Sequence, residues 1–192
     1  MTWAEPLFLL FALGTLITLL TSAGFAVSGR FARAARILAR LAVAASIYFA
    51  IVIAVSIMSP RREYRVGDTQ CFDDWCIAVS GARRQVPSAG PFEVALRLSN
   101  RARGRAMGEK GTVVYLTDAA GRRYDPLPDP AAVPFDAIIR PGESVTTVRR
   151  FDVPPDAGRL GLVYTHEGGF PIGWLIIGEG GWFQQPPLVR LE

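Results

Sequence analysis

Residues 41–60 read LAVAASIYFAIVIAVSIMSP, and this stretch decides the fold of the chain. Its twenty residues include no charged side chain, and they end at a proline. A helix of about 20 apolar residues crosses the about 30 Å hydrocarbon core of a bilayer. The stretch therefore predicts a membrane-spanning helix over residues 41–58, and the composition changes on either side of it.

A second uncharged run, residues 6–29, precedes this helix. It is longer than the roughly 7–15-residue apolar core of a signal peptide, and it lacks both a basic start and a clear cleavage site. We interpret residues 7–27 as a retained membrane helix. Residues 1–60 are therefore predicted to form a transmembrane helical hairpin with a basic loop at 29–40, and the lipid bilayer is its first partner.

The segment between the two runs has a strong charge bias, which predicts the orientation of the hairpin. It contains four arginines and no acid: Arg30, Arg33, Arg36 and Arg40. Residues 61–68, beyond the second run, carry three arginines offset by two acids. Loops rich in Lys and Arg remain cytoplasmic. We expect loop 29–40 in the cytoplasm, and residues 61–192 on the extracytoplasmic side of the plasma (inner) membrane.

Small residues recur at every fourth position in both predicted helices. Such spacing lets helix backbones approach closely in lipid. Either the two helices pack on each other within the hairpin, or these residues form a face for a homodimer or a partner subunit. The positions are Gly14, Thr18, Ser22 and Ala26 in the first helix and Ala42, Ser46, Ala50 and Ala54 in the second.

Residues 61–192 have the pattern of a soluble β-rich domain. They hold 17 basic and 16 acidic side chains, so their charge balance gives no indication of nucleic-acid binding. The clearest strand, FEVALRLS at 92–99, alternates apolar and polar residues with a period of two. Similar short runs lie between turns such as DAAG at 118–121. The pattern predicts an extracytoplasmic all-β sandwich of seven or eight strands.

The two cysteines, Cys71 and Cys76, lie in the sequence CFDDWC. They are too few for a disulfide scaffold or for a four-ligand zinc site. Their spacing can close a small loop, and an oxidising extracytoplasmic compartment would preserve the bond. We therefore predict a Cys71–Cys76 disulfide.

Two stretches of this domain, VVYLTDAAGRRYDP (113–126) and IRPGESVTTVRRFDVP (139–154), carry a resemblance. They resemble a bacterial extracytoplasmic immunoglobulin-like family of unknown function, found in small lipoproteins and membrane-anchored envelope proteins. The resemblance implies an immunoglobulin-like sandwich outside the cytoplasm, and it implies no active site. The matching positions are Leu116, Asp118, Gly121, Tyr124, Pro141, Gly142, Glu143, Phe151, Val153 and Pro154.

We predict no catalytic residue, cofactor or metal. The one histidine, His166, has no second histidine with which to build a zinc site, and no nucleophile elbow or phosphate-binding loop occurs. The prediction is a non-enzymatic envelope protein whose sandwich binds a protein partner or acts as an accessory subunit. The alternatives are a ligand-binding or enzymatic sandwich with a polar pocket, and a cytosolic-facing adaptor if the orientation is reversed.

The tail GGFPIGWLIIGEGGWF, residues 168–183, is unusually rich in large apolar side chains. A strand buries only alternate residues against one core, so part of this surface faces a second layer, the bilayer interface or a protein partner. Alternatively, the whole stretch is a buried last hairpin. The candidate interaction surface comprises Phe170, Trp174, Trp182 and Phe183.

Overall fold

The chain divides into two compact units. The computed structural model describes residues 4–84, 91–167, 175–176, 183 and 185–191. The first unit comprises Met1–Pro60 and Phe170–Gln185, and the second comprises Arg61–Gly169 and Pro186–Glu192. One unit boundary falls at Pro60, and residues 170–185 group with the helices. The predicted division into 1–60 and 61–192 stays a prediction.

Two long helices, α1 (Ala4–Val27) and α2 (Phe31–Met58), make up most of the first unit. Gly29 lies in the turn between them at φ 72°, a conformation that glycine adopts without steric penalty. By length and composition, Glu5–Val27 and Phe31–Met58 can each cross a membrane. The predicted apolar hairpin is therefore present.

The predicted basic loop at 29–40 is wrong over most of its length, because α2 already begins at Phe31. Arg33, Arg36 and Arg40 lie on its first turns, and Arg30 is its N-cap residue. The sequence from 31 to 40 consists mainly of Ala, Arg and Leu, which are strong helix formers, and contains neither Gly nor Pro. The charge bias predicts on which side of the membrane this segment lies. It does not predict whether the segment is a loop or a helix.

The two helices meet along one face of each. The Ser22 hydroxyl donates a hydrogen bond to the carbonyl oxygen of Ala34 at 3.3 Å, and both residues are buried. Further along the pair, the ring of Phe11 stacks on that of Tyr48 with a centroid distance of 4.3 Å. Ala34 and Tyr48 are fourteen residues apart, about four helical turns, and therefore share a face of α2.

The small residues at four-residue spacing differ in burial between the two helices. Ser22 is buried, Thr18 and Ala26 are partly buried, and Gly14 is exposed. Larger residues, among them Tyr48 and Val52, occupy the buried face of α2 instead. The alternative of a homodimer or partner-subunit face remains a prediction, because all four positions on α2 are exposed: Ala42, Ser46, Ala50 and Ala54.

The second unit is a two-sheet β-sandwich, which confirms the predicted fold class. One sheet has the strand order β1-β9-β8-β5-β6, and the other has the order β2-β3-β4-β7. The chain crosses between the sheets at β1–β2, β4–β5, β6–β7 and β7–β8. The strands are β1 (Glu63–Arg65), β2 (Thr69–Phe72), β3 (Trp75–Arg84), β4 (Phe92–Asn100), β5 (Thr112–Asp118), β6 (Arg123–Tyr124), β7 (Ser144–Phe151), β8 (Leu160–His166) and β9 (Leu188–Arg190).

Alternating residues of both sheets form the sandwich core. Val94, Leu96 and Leu98 of β4 are fully buried, as their period of two predicts. Residues from the other strands complete the core: Trp75, Ile77, Val79, Val114, Leu116, Phe151, Leu162, Tyr164 and Val189.

The first and last strands of the sandwich are neighbours. β1 pairs with β9 in parallel, with Tyr64 opposite Val189, and β9 pairs antiparallel with β8. The sheet is therefore completed by a contact between the segment that follows α2 and the end of the chain.

Candidate functional site

The tail contacts α2 through two hydrogen bonds. The Tyr48 hydroxyl donates to the carbonyl oxygen of Leu175 at 2.6 Å, and the backbone N–H of Phe183 donates to Oγ of Ser56 at 3.1 Å. Tyr48, Val52 and Ser56 are four residues apart and form one stripe along the helix. All three are buried, at 9%, 3% and 3% exposure.

An apolar cavity of about 280 Å³ lies beside this contact, within the helical unit. Leu175 contributes to its wall, so the tail and both helices share one apolar cluster. The remaining lining residues are Phe8, Phe11, Ala12, Thr15, Tyr48 and Phe49.

Of the predicted interaction surface, only Phe183 falls on described residues. Its side chain is 60% exposed although its backbone is bonded to Ser56. Phe170, Trp174 and Trp182 lie outside the described residues, so their role stays a prediction.

Sequence reasoning missed Tyr48 and Ser56. The signal was present, because two hydroxyls eight residues apart lie on one face of a helix in which Ser46 is the one other polar residue from 41 to 58. A polar group in such a helix needs a partner. The sequence did not indicate that this partner would come from residues more than a hundred positions away.

The four arginines form an exposed basic patch at the α1–α2 end of the hairpin. Arg33, Arg36 and Arg40 follow the helical spacing of a single face. Nε of Arg36 donates to the Ala32 carbonyl oxygen at 3.2 Å. Among the described residues, none of the four arginines lies within ion-pair distance of an acid. Their guanidinium groups can therefore bind phosphate groups, whose oxygens would accept hydrogen bonds from them.

A disulfide joins Cys71 and Cys76 with a Cα–Cα distance of 3.9 Å. The two residues lie directly opposite each other in the β2–β3 hairpin. The two-residue turn between the strands places Asp73 at φ 52°, in the left-handed region that Asp tolerates better than most residues. The cross-link therefore closes the tip of a regular hairpin, with Cys76 fully buried and Cys71 exposed.

His166 lies at the end of β8 and takes part in a local structural contact. Its Nε2 is 2.7 Å from Oε1 of Glu109, and its ring packs edge-on against Phe72 at 4.6 Å. Within the described ranges, no group of three or more His, Cys, Asp or Glu residues could hold a metal ion. The pair ties the β4–β5 loop to the end of β8.

Asp118 organises the β5–β6 turn, which is part of the sequence resemblance. Its carboxylate accepts hydrogen bonds from the backbone N–H groups of Ala120 and Arg122, from the Arg122 side chain and from the Tyr124 hydroxyl. Burial raises the pKa of this carboxyl, but the bonds from Arg122 and Tyr124 outweigh that effect and lower the pKa to about 2. The Asp and Tyr of the motif are therefore structural partners.

A second buried charge, Arg149, was not indicated by the sequence. It lies on the inward side of β7, where its guanidinium donates to Thr147 Oγ1 at 2.8 Å and to the Val133 carbonyl oxygen at 2.6 Å. Its Cζ lies 4.6 Å from the centroid of the Phe135 ring. Burial lowers the pKa of this guanidinium. The arginine holds the proline-rich β6–β7 connection against the edge strand.

These features define a class of protein: a two-sheet β-sandwich that follows a hairpin of two helices able to cross a membrane. No protein-family model and no curated protein matches this chain. Among solved structures, the chain is similar to the yjhA protein from Bacillus subtilis, at 14% identity over 67% of this chain and 99% of that one, with a TM-score of 0.45.

Two further structures show a comparable similarity. One is MPT63, a secreted protein from Mycobacterium tuberculosis, at 17% identity over 58% of this chain and 93% of that one, with a TM-score of 0.43. The other is an uncharacterized β-sandwich protein from Clostridium difficile 630, at 11% identity over 70% and 97%, with a TM-score of 0.43. These similarities carry no information on function.

Proposed function

We propose that this chain is a membrane-anchored envelope protein. α1 and α2 cross the plasma membrane as a hairpin, and the sandwich acts on the extracytoplasmic side as a non-enzymatic binding or accessory-subunit module. The alternative of an enzymatic or ligand-binding sandwich has no catalytic motif in the sequence to support it.

The exposed apolar surface of the helices is the observation that carries this proposal. Most of the exposed large hydrophobic side chains of the described chain belong to α1 and α2. Leu10, Leu20 and Val43 are 68%, 65% and 61% exposed, respectively. Soluble monomers rarely expose contiguous apolar patches above a few hundred Å², and such a patch indicates a membrane or a partner. A bilayer covers two helices of this length on all sides.

Two features support the orientation. The basic patch at the α1–α2 end favours the cytoplasm for that end, and there it can bind anionic headgroups. The Cys71–Cys76 bond favours an oxidising compartment for the sandwich. The sequence resemblance to an extracytoplasmic immunoglobulin-like family implies the same side of the membrane for the sandwich.

Thiol labelling in intact spheroplasts tests the topology. We expect a cysteine added after Glu192 to react with an impermeant maleimide, because the C-terminus lies outside. Joined as a disulfide, the native cysteines do not compete for the reagent. In the matched control, Ser28→Cys in the α1–α2 turn, we expect reaction only after lysis.

The reverse labelling pattern would contradict the proposal and favour the cytosolic-facing adaptor. Release of the full chain from membranes by carbonate washing would contradict the anchor itself.

A further inference from the structure

We propose that the described tail residues Leu175, Ile176 and Phe183 lie within the membrane, docked on α2, with Leu175 at about the middle of the bilayer and lipid acyl chains as their partner. This inference rests on the proposed function, because it takes α2 as a membrane-spanning helix.

The position of Tyr48 along α2 sets the depth of the tail. Tyr48 lies ten residues before Met58, the last residue of the helix. At 1.5 Å per residue this is about 15 Å, half of an about 30 Å hydrocarbon core. Ser56 lies only two residues before the same end. The bonds from these two side chains therefore place Phe183 near the membrane surface and Leu175 near the midplane.

The hydrogen bonds supply partners that backbone outside a regular α-helix needs at that depth. A carbonyl or N–H group without a partner in hydrocarbon costs several kcal/mol, so irregular backbone enters a membrane only where protein groups satisfy it. The hydroxyl of Tyr48 satisfies the Leu175 carbonyl, and Oγ of Ser56 satisfies the Phe183 amide.

The length of the β8–β9 connection is not explained by the sandwich. β8 and β9 are antiparallel neighbours, with Val163 opposite Leu188, and such strands need a loop of only about 2–5 residues. Instead, twenty-one residues, 167–187, separate them. Loops longer than about 12–15 residues in compact domains are usually functional or disordered.

The composition of residues 170–185 suits a lipid environment. Aromatic and branched aliphatic residues make up eight of these sixteen, and one residue, Glu179, is charged. The Phe183 side chain is 60% exposed on the helical unit, where acyl chains and headgroups would cover it. The segment thus has the chemistry of a re-entrant element and not of a solvated loop.

Spin-label accessibility measures this depth directly. The full chain is labelled at Ile176→Cys in vesicles of phosphatidylethanolamine and phosphatidylglycerol, and collisions with oxygen and with a water-soluble nickel chelate are compared. Ile47→Cys, exposed on α2 beside Tyr48, is the reference for mid-depth. Ala119→Cys, in the exposed β5–β6 turn, is the aqueous reference.

We expect the label at 176 to match that at 47, with ready access to oxygen and loss of access to nickel. A value equal to that at 119 or typical of the headgroup region would overturn the inference. Shielding from both reagents would also overturn it, because protein and not lipid would then cover the segment. Nickel access at position 47 would instead overturn the proposed membrane anchor.

A hydroxyl deletion tests whether Tyr48 holds the segment in place. Tyr48→Phe should increase nickel access at position 176, because the Leu175 carbonyl loses its partner. Ser46→Ala removes a hydroxyl from the exposed side of the same helix and should leave that access unchanged. Equal values in both variants would show that Tyr48 does not anchor the segment.

Discussion

At the scale of single residues, Asp118 shows that a sequence motif in a turn can stabilise the fold without taking part in catalysis or binding. The carboxylate accepts four hydrogen bonds that join β5, the turn and β6. Gly121 completes the turn at φ 79°, where a side chain would be strained. An acid, a glycine and a tyrosine at this spacing therefore encode a closed hairpin.

The low pKa of Asp118 predicts a local pH dependence. Its folded-state pKa of about 2 lies below the ordinary 3.8, so the stabilisation is complete above about pH 4 and is lost as the pH falls towards 2. We expect the protection of the β5 and β6 amides, measured as exchange relative to the intrinsic rate at each pH, to fall over that range. Asp118→Asn should abolish this pH dependence, and Tyr124→Phe should reduce it.

Hydrogen exchange of the detergent-solubilised chain, measured for the wild type and both variants, tests these expectations. A loss of protection of the same size in wild type and Asp118→Asn would contradict the assignment to Asp118. The amides of β3 and β4, which lie in the other sheet, provide an internal comparison.

Sequence reasoning identified Asp118 but not Arg149, and the difference is physical. The partners of Asp118 lie within six residues, so a local pattern reveals them. Arg149 faces inward and bonds to Val133 and Thr147, a contact that depends on where the proline-rich connection folds back. Alternation along a strand does not predict an arginine on the buried side.

At the scale of elements, the disulfide-closed β2–β3 hairpin gives a second prediction. We expect mass spectrometry of the purified, unreduced protein to find no alkylatable thiol. Replacing the pair by Cys71→Ser with Cys76→Ala should lower the free energy of unfolding by about 2 kcal/mol, because a six-residue loop is no longer closed in the unfolded chain.

Urea unfolding in detergent, followed by near-ultraviolet circular dichroism, measures this loss. Reduction of the wild-type protein should reproduce the effect of the double substitution. Two free thiols in the unreduced protein would contradict both the bond and the proposed compartment.

The helices show which properties of an element a sequence can predict. Apolar length predicted two membrane-competent helices, because the bilayer thickness is a fixed requirement. It did not predict the start of α2 at Phe31, since charge bias and helix propensity are independent signals over residues 31–40. It also did not predict which face of α2 would be buried, because Tyr48 and Phe11 pack together in place of the small residues.

At the scale of the whole molecule, the grouping of residues 170–185 with the helices predicts that the sandwich does not need them. Replacing this segment by a Gly-Ser linker in the full chain should leave amide exchange in β8 and β9 unchanged. Gly161→Val is the contrasting variant. A Cβ at Gly161 would collide with Leu188, so this change should accelerate exchange in both strands.

Faster exchange in the linker variant would contradict the division and favour the alternative of a buried last hairpin. The sequence alone could not decide between a buried last hairpin and a membrane contact, because the tail is apolar enough for either environment. Its partners on α2 are more than 120 positions away in the chain, and only the folded structure brings them together.

The parallel pairing of β1 with β9 has a consequence for biosynthesis. β1 follows α2 directly, yet its register partner at Leu188 is synthesised about 125 residues after Glu63. The five-stranded sheet therefore cannot be complete while the ribosome is still translating the chain before β9. Both helices leave the ribosome long before that point. Under the proposed function, the helices therefore insert into the membrane before the sandwich can close, and the domain completes its fold while already attached.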